Sequence, residues 1–213
     1  MTRLLPAIAL AALLVVAGCS APGTTDSVGD PDEYGPDQTI AVDPSDGLNA
    51  SEREAVVGRA MVRIEQLRDL EFDEQVEVRV ISRDEYRQQR SGSNETHARW
   101  NNQAWEGLFI VGEDRDIDDV FNQTLGSAVA GFYDPRTDEI VIVSDSETPT
   151  LNRGTLVHEL VHALQDQRFG LSGGANTQDR QLARSGLIEG EANLIEERYQ
   201  QRCGGTWQCV NLQ

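Results

Sequence analysis

Lysine is absent from this sequence, so arginine supplies all 18 residues counted as Lys or Arg. Acidic residues number 36, which leaves a formal net charge of −18. Such a surplus of carboxylates excludes nucleic acid and anionic membrane surfaces as partners, because both would repel the protein. Acidic chains are often disordered. Here, however, 38% of residues are hydrophobic and recur with regular periods, so we predict a folded domain with an acidic surface.

The length of 213 residues allows one domain with a hydrophobic core plus appendages, and no internal repeat is visible. An acidic composition without lysine resembles the proteins of haloarchaea, whose cytoplasm is saturated with salt. This resemblance implies a halophilic source.

The amino terminus is typical of an export signal. Arg3 precedes an apolar run from Leu4 to Ala17, which is too short for a comfortable membrane span. The small residues Ala17 and Gly18 then precede Cys19, an order that resembles a lipobox. We therefore expect residues 1–19 to be a lipoprotein signal peptide, with Cys19 lipidated on the extracellular face of the membrane. The alternative is an ordinary signal peptide with an incidental cysteine.

The rest of the chain divides into a linker and a domain. Residues 20–50 are rich in Gly, Pro, Asp, Ser and Thr, which favours a disordered acidic linker. We expect the domain over residues 51–213. Its first helix begins at a capping box of Ser51 and Glu54 and ends near Leu70. Its last two helices run from Thr148-Pro149 to Arg168 and from Gln178 to Gln201.

Strand patterns lie between these helices. The predicted strands are Val76 to Val80, Leu108 to Val111, and a hairpin of Ala128 to Tyr133 with Ile140 to Val143. Further helical patterns cover Arg83 to Arg90 and Asn101 to Glu106, where Trp100 and Trp105 are predicted core residues. Irregular alternation of helices and strands predicts an α+β fold with a small mixed or antiparallel sheet.

Cys203 and Cys209 remain once Cys19 is set aside. An exported protein meets an oxidising environment, so we predict a disulfide between them. The alternatives are two free thiols or half of a metal site, although no further Cys or His lies nearby.

The strongest chemical signal is His158-Glu159-Leu160-Val161-His162 within a predicted helix. Residues four apart share one helix face, so both imidazoles can reach a single Zn²⁺. Glu159 lies roughly 100° further round the helix, where it can take a proton from water as a general base. The alternative is a core helix with two histidines that make ordinary hydrogen bonds.

A catalytic zinc site needs a third protein ligand. We predict Glu189 for this role, because it follows two apolar residues at the edge of a buried face; Glu191 is the substitute, and His97 lies in a polar stretch. Gly190 would let two helices approach closely, and Asn193 would hydrogen-bond a ligand histidine. The alternative is that both glutamates are solvated surface residues.

The His158-Glu159-x-x-His162 motif, followed by a helix bearing Glu189-Gly190-x-Ala192, resembles the gluzincin group of zinc metallopeptidases. Leu164 to Gln167 and Gly131 to Pro135 are similar to a family of haloarchaeal surface lipoproteins that carry this helix. The resemblance covers about residues 127–199. It implies a zincin-like fold with His158, His162 and Glu189 as zinc ligands and Glu159 as base. It also implies an edge strand that binds an extended peptide or protein substrate, either Gly126 to Phe132 or Ile140 to Val143.

Gluzincins usually continue well beyond the third ligand, whereas 24 residues follow Glu189 here. We consider Tyr199 and Tyr133 as donors to the oxyanion of the tetrahedral intermediate. The expected function is an extracytoplasmic zinc peptidase, anchored to the membrane only through lipid. The alternative is a surface lipoprotein that uses the same fold for binding or structure without turnover. Oligomeric state has no signal in the sequence.

Overall fold

The structure, a computed structural model, describes residues 34–90, 95–124, 128–171, 173 and 176–212. The predicted signal peptide and the lipidation site Cys19 lie outside the described residues, as does the side chain of His97.

The described residues form six α-helices and three strands, which confirms the predicted α+β class. In chain order the elements are α1 (Ala50–Arg68), β1 (Glu77–Ile81), α2 (Arg83–Arg90), α3 (Glu95–Gly107), α4 (Ile117–Thr124), β2 (Gly131–Asp134), β3 (Glu139–Val143), α5 (Arg153–Phe169) and α6 (Gln178–Cys203). A short 3-10 turn, Pro44–Asp46, precedes α1.

The sheet is mixed, with the strand order β1-β3-β2. β1 pairs with β3 in parallel, whereas β2 pairs with β3 as the antiparallel hairpin that the sequence predicts. Ile140 to Val143 therefore lie in the central strand and cannot serve as the substrate-binding edge. That expectation was wrong for β3; of the two segments considered, the one that overlaps β2 lies at an edge of the sheet.

α5 is the centre of the core. Apolar side chains surround most of this helix, which packs against β2 and β3 on one side and against α1 and α6 on the other. The least exposed hydrophobic positions in the cluster that contains α5 are Met61, Ile64, Leu160, Val161, Ala163 and Ala192. Because core side chains pack against α5 from several directions, the helix cannot rotate, and the positions of its polar side chains are fixed.

The predicted start points of α1 and α5 were wrong by a few residues, whereas α6 begins at the predicted Gln178. α1 begins after Asn49, whose side chain forms a capping box with Glu52. α5 begins after Asn152, whose side chain accepts from the backbone N–H of Thr155. Thr148 instead donates its hydroxyl to the carbonyl of Asp46. A capping side chain is effective only where the backbone enters the helix.

The predicted disordered linker was also too long. Leu48 is buried in the main core, and Ile40 and Val42 pack against it. The guanidinium of Arg63 donates to the carbonyl of Pro36 at 2.8 Å. Residues 34–50 therefore belong to the folded domain, since their apolar side chains are buried and their backbone is bonded to it.

Residues 108–111 do not form the predicted strand. The N–H groups of Leu108, Phe109 and Ile110 donate to carbonyls of the last turn of α3, so this segment caps that helix. Phe109 adopts a left-handed φ of 58° and is 94% exposed. Trp100 is 66% exposed, so its predicted core role was wrong as well.

Cys203 and Cys209 form the predicted disulfide, with their Cα atoms 5.4 Å apart. The loop that it closes brings Trp207 against Tyr199 at 5.1 Å between ring centroids. The buried guanidinium of Arg63 lies over the Trp207 ring at 4.8 Å. The loop closed by the disulfide therefore packs against α1 through Trp207 and Arg63.

Candidate metal centre

His158 and His162 leave the same face of α5 one turn apart, with their ring centroids 4.8 Å apart. Their side chains are 19% and 12% exposed. The rings therefore lie at the boundary of the core, where they are partly exposed and close to α6.

Glu189 of α6 completes the cluster. Its Oε2 lies 3.2 Å from Nε2 of His158 and 3.6 Å from Nε2 of His162. One ligand atom from each of the three residues lies within 4.8 Å of the others, which makes them a possible metal-binding triad. The structure thus brings together the three residues that the sequence predicts as ligands.

The spacing of these atoms can be compared with that of a zinc site. Ligands about 2.05 Å from a tetrahedral zinc ion are separated from one another by about 3.3 Å. The separations of 3.2 and 3.6 Å from Glu189 Oε2 to the Nε2 atoms of His158 and His162 agree with that value. Two imidazoles and one carboxylate also match a donor set used by catalytic zinc. The residues present therefore fit a divalent ion of this class.

Each ligand histidine has a polar partner at Nδ1, but not the one predicted. Nδ1 of His162 lies 2.9 Å from Oε1 of Gln165, and Nδ1 of His158 lies 3.4 Å from Oε2 of Glu196. Asn193 is exposed and has no hydrogen bond to either ring among the described contacts. The assignment of Asn193 was therefore wrong.

The sequence carried a signal for both of these partners. Gln165 follows His162 by three residues on α5, and Glu196 follows Glu189 by seven residues on α6, so each shares a helix face with a ligand. Spacing alone did not separate them from Asn193, which lies four residues after Glu189. The rotation of α6 about its axis decided which side chain faced the rings.

Side chains of α6 lie close to Gly154 of α5, whereas the space beside Gly190 is open. A Cβ on Gly154 would lie 2.5 Å from Oε1 of Glu196 and 3.0 Å from Nε2 of Gln200. A Cβ on Gly190 would meet nothing within 4 Å, so the predicted packing role of Gly190 was wrong. Gly154 leaves the space in which Glu196 reaches His158.

Glu191, the substitute for the third ligand, lies outside the triad. Its carboxylate forms an ion pair with Arg68 of α1. Its Oε2 also accepts a 2.7 Å hydrogen bond from Nε2 of Gln165. Glu191 is two residues from Glu189 and therefore points to a different side of α6, toward α1.

The side chain of Glu159 faces the edge strand β2 and not the side of α5 that carries the two histidine rings. Its Oε2 accepts a 2.8 Å hydrogen bond from the backbone N–H of Tyr133 in β2. Burial raises the pKa of the Glu159 carboxyl above its ordinary value, against the lowering effect of the Tyr133 N–H and of the two histidines. The carboxyl is thus a stronger base than a solvated glutamate.

Neither tyrosine considered as an oxyanion donor is available for that task. Tyr199 is 4% exposed in the core, and its hydroxyl lies 3.4 Å from Arg63 on the α1 side of α6. The hydroxyl of Tyr133 lies 2.7 Å from Asp138 and 2.9 Å from Asp166. Burial and these two carboxylates raise the pKa of Tyr133. The catalytic assignment of Tyr199 was wrong because its position on α6 faces the core.

Two cavities bear on access to the site. A small cavity of about 30 Å³ lies between β2 and the first turns of α5, lined by Glu159, Gly131 and Thr155 among others. That volume holds one or two water molecules. A larger cleft of about 670 Å³ lies between α1 and the end of α5, away from the triad. His158, His162 and Glu189 line neither of these two cavities, and their side chains are partly exposed.

Comparison of the chain with protein-family models, with curated proteins and with solved structures gives no match. Within the part of the chain that the structure describes, every helix is too short or too polar to cross a bilayer.

Proposed function

We propose that this protein is a zinc-dependent peptidase, anchored to the extracellular face of the membrane by a lipid on Cys19. The observation that carries the proposal is the convergence of His158, His162 and Glu189, with Glu159 beside them on α5. This arrangement is consistent with the gluzincin-like motif of the sequence. The disulfide supports export, because such bonds persist in oxidising compartments.

His158, His162 and Glu189 would hold the zinc ion, which when bound would supply Lewis acidity toward a substrate carbonyl and a water molecule. Glu159 accepts the proton of the attacking water and then delivers it to the leaving amine. Burial, which raises the pKa of this carboxyl, favours its uptake of a proton. The Tyr133 N–H holds one carboxylate oxygen and leaves the other for water.

The edge strand β2 is the proposed binding surface for the substrate. An extended peptide can add to a sheet edge through backbone hydrogen bonds, which recognise any sequence. Glu159 already accepts from the N–H of Tyr133, so the peptide would use the part of β2 near Gly131. That placement brings a backbone carbonyl close to Glu159 and suits peptides or unfolded proteins as substrates.

The test is hydrolysis of a casein-type substrate in high salt by the zinc-loaded protein. Glu159→Gln is expected to abolish hydrolysis and to retain stoichiometric zinc, because Glu159 is not a ligand. Glu197→Gln is a matched control, since this exposed carboxylate on α6 bonds only to Gln201 among the described contacts. Zinc content and hydrolysis are measured on the same preparations. Equal hydrolysis by wild type and Glu159→Gln would reject the mechanism.

A surface lipoprotein that holds zinc for structure or for ligand binding, without turnover, is the second candidate. It is favoured by the positions of two tyrosines: the hydroxyl of Tyr133 is bonded to Asp138 and Asp166, and Tyr199 is buried in the core, so neither is placed to donate to an oxyanion. Stoichiometric zinc in a wild-type protein that cleaves no faster than Glu159→Gln would support this candidate. Absence of bound zinc would reject both.

A further inference from the structure

Gln165 has only one amide orientation that satisfies its surroundings. Its Nε2 lies 3.0 Å from the carbonyl oxygen of Ile188 and 2.7 Å from Oε2 of Glu191. A carbonyl and a carboxylate can only accept hydrogen bonds, so the NH₂ group must face them. Oε1 of Gln165 must then face Nδ1 of His162, from which it is 2.9 Å distant.

This orientation determines where His162 carries its proton. An amide oxygen is an acceptor, so Nδ1 of His162 donates to it and Nε2 is left with its lone pair. That lone pair is the one turned toward Glu189. We propose that Gln165 is a positioning residue that fixes the tautomer and ring orientation of His162 for zinc. The inference rests on the proposed zinc binding.

The connection extends through three helices. Gln165 is 4% exposed, and its partner Glu191 is paired with Arg68 of α1. Turning the Gln165 amide would place its oxygen against the Glu191 carboxylate and the Ile188 carbonyl, so that an acceptor would face two acceptors, which is costly. His158 is held less firmly, since Glu196 lies at 3.4 Å from its Nδ1. The contact at Nδ1 is therefore stronger for His162 than for His158.

The first test replaces Gln165 with a side chain of similar length that makes no amide hydrogen bonds. Gln165→Met is expected to weaken zinc binding tenfold to hundredfold, the usual loss when a ligand's outer partner is removed. Gln167→Met is the matched control: the same residue type on the same helix, bonded to Asp73, Glu74 and Asp138 and not to a histidine. Chelator competition measures zinc affinity, and the melting temperature of the zinc-free protein measures the fold.

A second test exchanges donor and acceptor in the hydrogen bond between Gln165 and Glu191. Gln165→Glu keeps an acceptor for His162 but faces Glu191 with a like charge, so zinc affinity is expected to fall at least tenfold. Adding Glu191→Gln supplies a donor again and is expected to recover more than about threefold of the loss. The visible spectrum of the cobalt-substituted protein reports whether the ligand geometry is recovered in parallel.

The outcomes separate this inference from the proposed function. Zinc binding by Gln165→Met equal to that of wild type would overturn the role of Gln165 and leave the proposed peptidase intact. A wild-type protein without zinc would overturn both. If Gln165→Met does not fold, Gln165→Glu and the Gln165→Glu/Glu191→Gln double variant decide. If the double variant recovers no zinc affinity, the proposal is rejected.

Discussion

The backbone N–H of Tyr133 donates a 2.8 Å hydrogen bond to Oε2 of Glu159. This contact joins the edge strand β2 to α5 at the proposed general base. Every substitution other than proline leaves the backbone N–H in place, so the position of Glu159 depends on the hairpin backbone and not on the Tyr133 side chain.

Glu189→Gln is expected to weaken zinc binding by more than about a hundredfold, exceeding the loss caused by removing an outer partner. The amide of the variant lacks the negative charge with which the Glu189 carboxylate would attract the zinc ion. Glu191→Gln should retain most of the affinity, because its new amide oxygen can still accept from Gln165. Chelator competition on both proteins provides the comparison. If Glu191→Gln lost zinc and Glu189→Gln did not, Glu191 and not Glu189 would be the third ligand.

Gly154→Ala is expected to weaken zinc binding about tenfold while leaving the protein folded. The added Cβ would lie 2.5 Å from Oε1 of Glu196 and push that carboxylate away from His158. Gly186→Ala on α6 is the control, since its Cβ would meet nothing within 4 Å. That variant should gain about 0.5–1 kcal/mol of stability from its helical position. Similar zinc affinity for both variants would contradict the role of Glu196.

Tyr133→Phe is expected to retain zinc-dependent hydrolysis and to lower the free energy of unfolding by about 1 kcal/mol. The substitution removes the hydroxyl bonded to Asp138 and Asp166, whereas the backbone N–H to Glu159 remains. Urea unfolding and casein hydrolysis are measured together. A large loss of hydrolysis at unchanged zinc content would instead give the hydroxyl a catalytic role.

Reduction of the disulfide between Cys203 and Cys209 is expected to lower the free energy of unfolding by roughly 2 kcal/mol, as for a short closed loop. Zinc affinity should be unchanged, because the bond lies about 20 Å along α6 from Glu189. Urea unfolding with and without reductant gives the first quantity. The Cys203→Ser/Cys209→Ser variant controls for effects of reductant on the metal.

Asp134 should make stability depend on pH in the acid range. The side-chain hydrogen bond from Arg136 holds the pKa of Asp134 below its usual value of 3.8 in the folded protein. A lowered folded-state pKa gives stability that is fully present above 3.8 and is lost as pH falls through the folded value. Asp134→Asn should remove this component and flatten the acid limb of the unfolding free energy. An unchanged acid limb would show that the pair contributes nothing.

Local sequence patterns predicted several parts of the fold well. The hairpin needs only a turn and two strands with β-branched residues, and it is present as β2 and β3. The strand around Val78 and the helix bearing His158 also follow from periodicity. These features depend on neighbours a few residues apart, which a sequence displays directly.

Two kinds of feature were missed. The first kind is local: the N–H groups of Leu108 to Ile110 bond to the end of α3, and Asn49 and Asn152, not Ser51 and Thr148, cap their helices. In these places one local pattern outweighed another that the sequence displays equally well. The second kind depends on distant partners: Leu48 is buried in the core although the segment around it has the composition of a linker.

The sequence by itself determined that two imidazoles would share one face of a helix, because a spacing of four residues leaves no other result. It also indicated that a glutamate on the following helix could join them. Only the tertiary structure decided which polar side chains support the rings. The rotation and close approach of α5 and α6, set by core packing and by the space at Gly154, brought Gln165 and Glu196 to the histidines and left Asn193 in solvent.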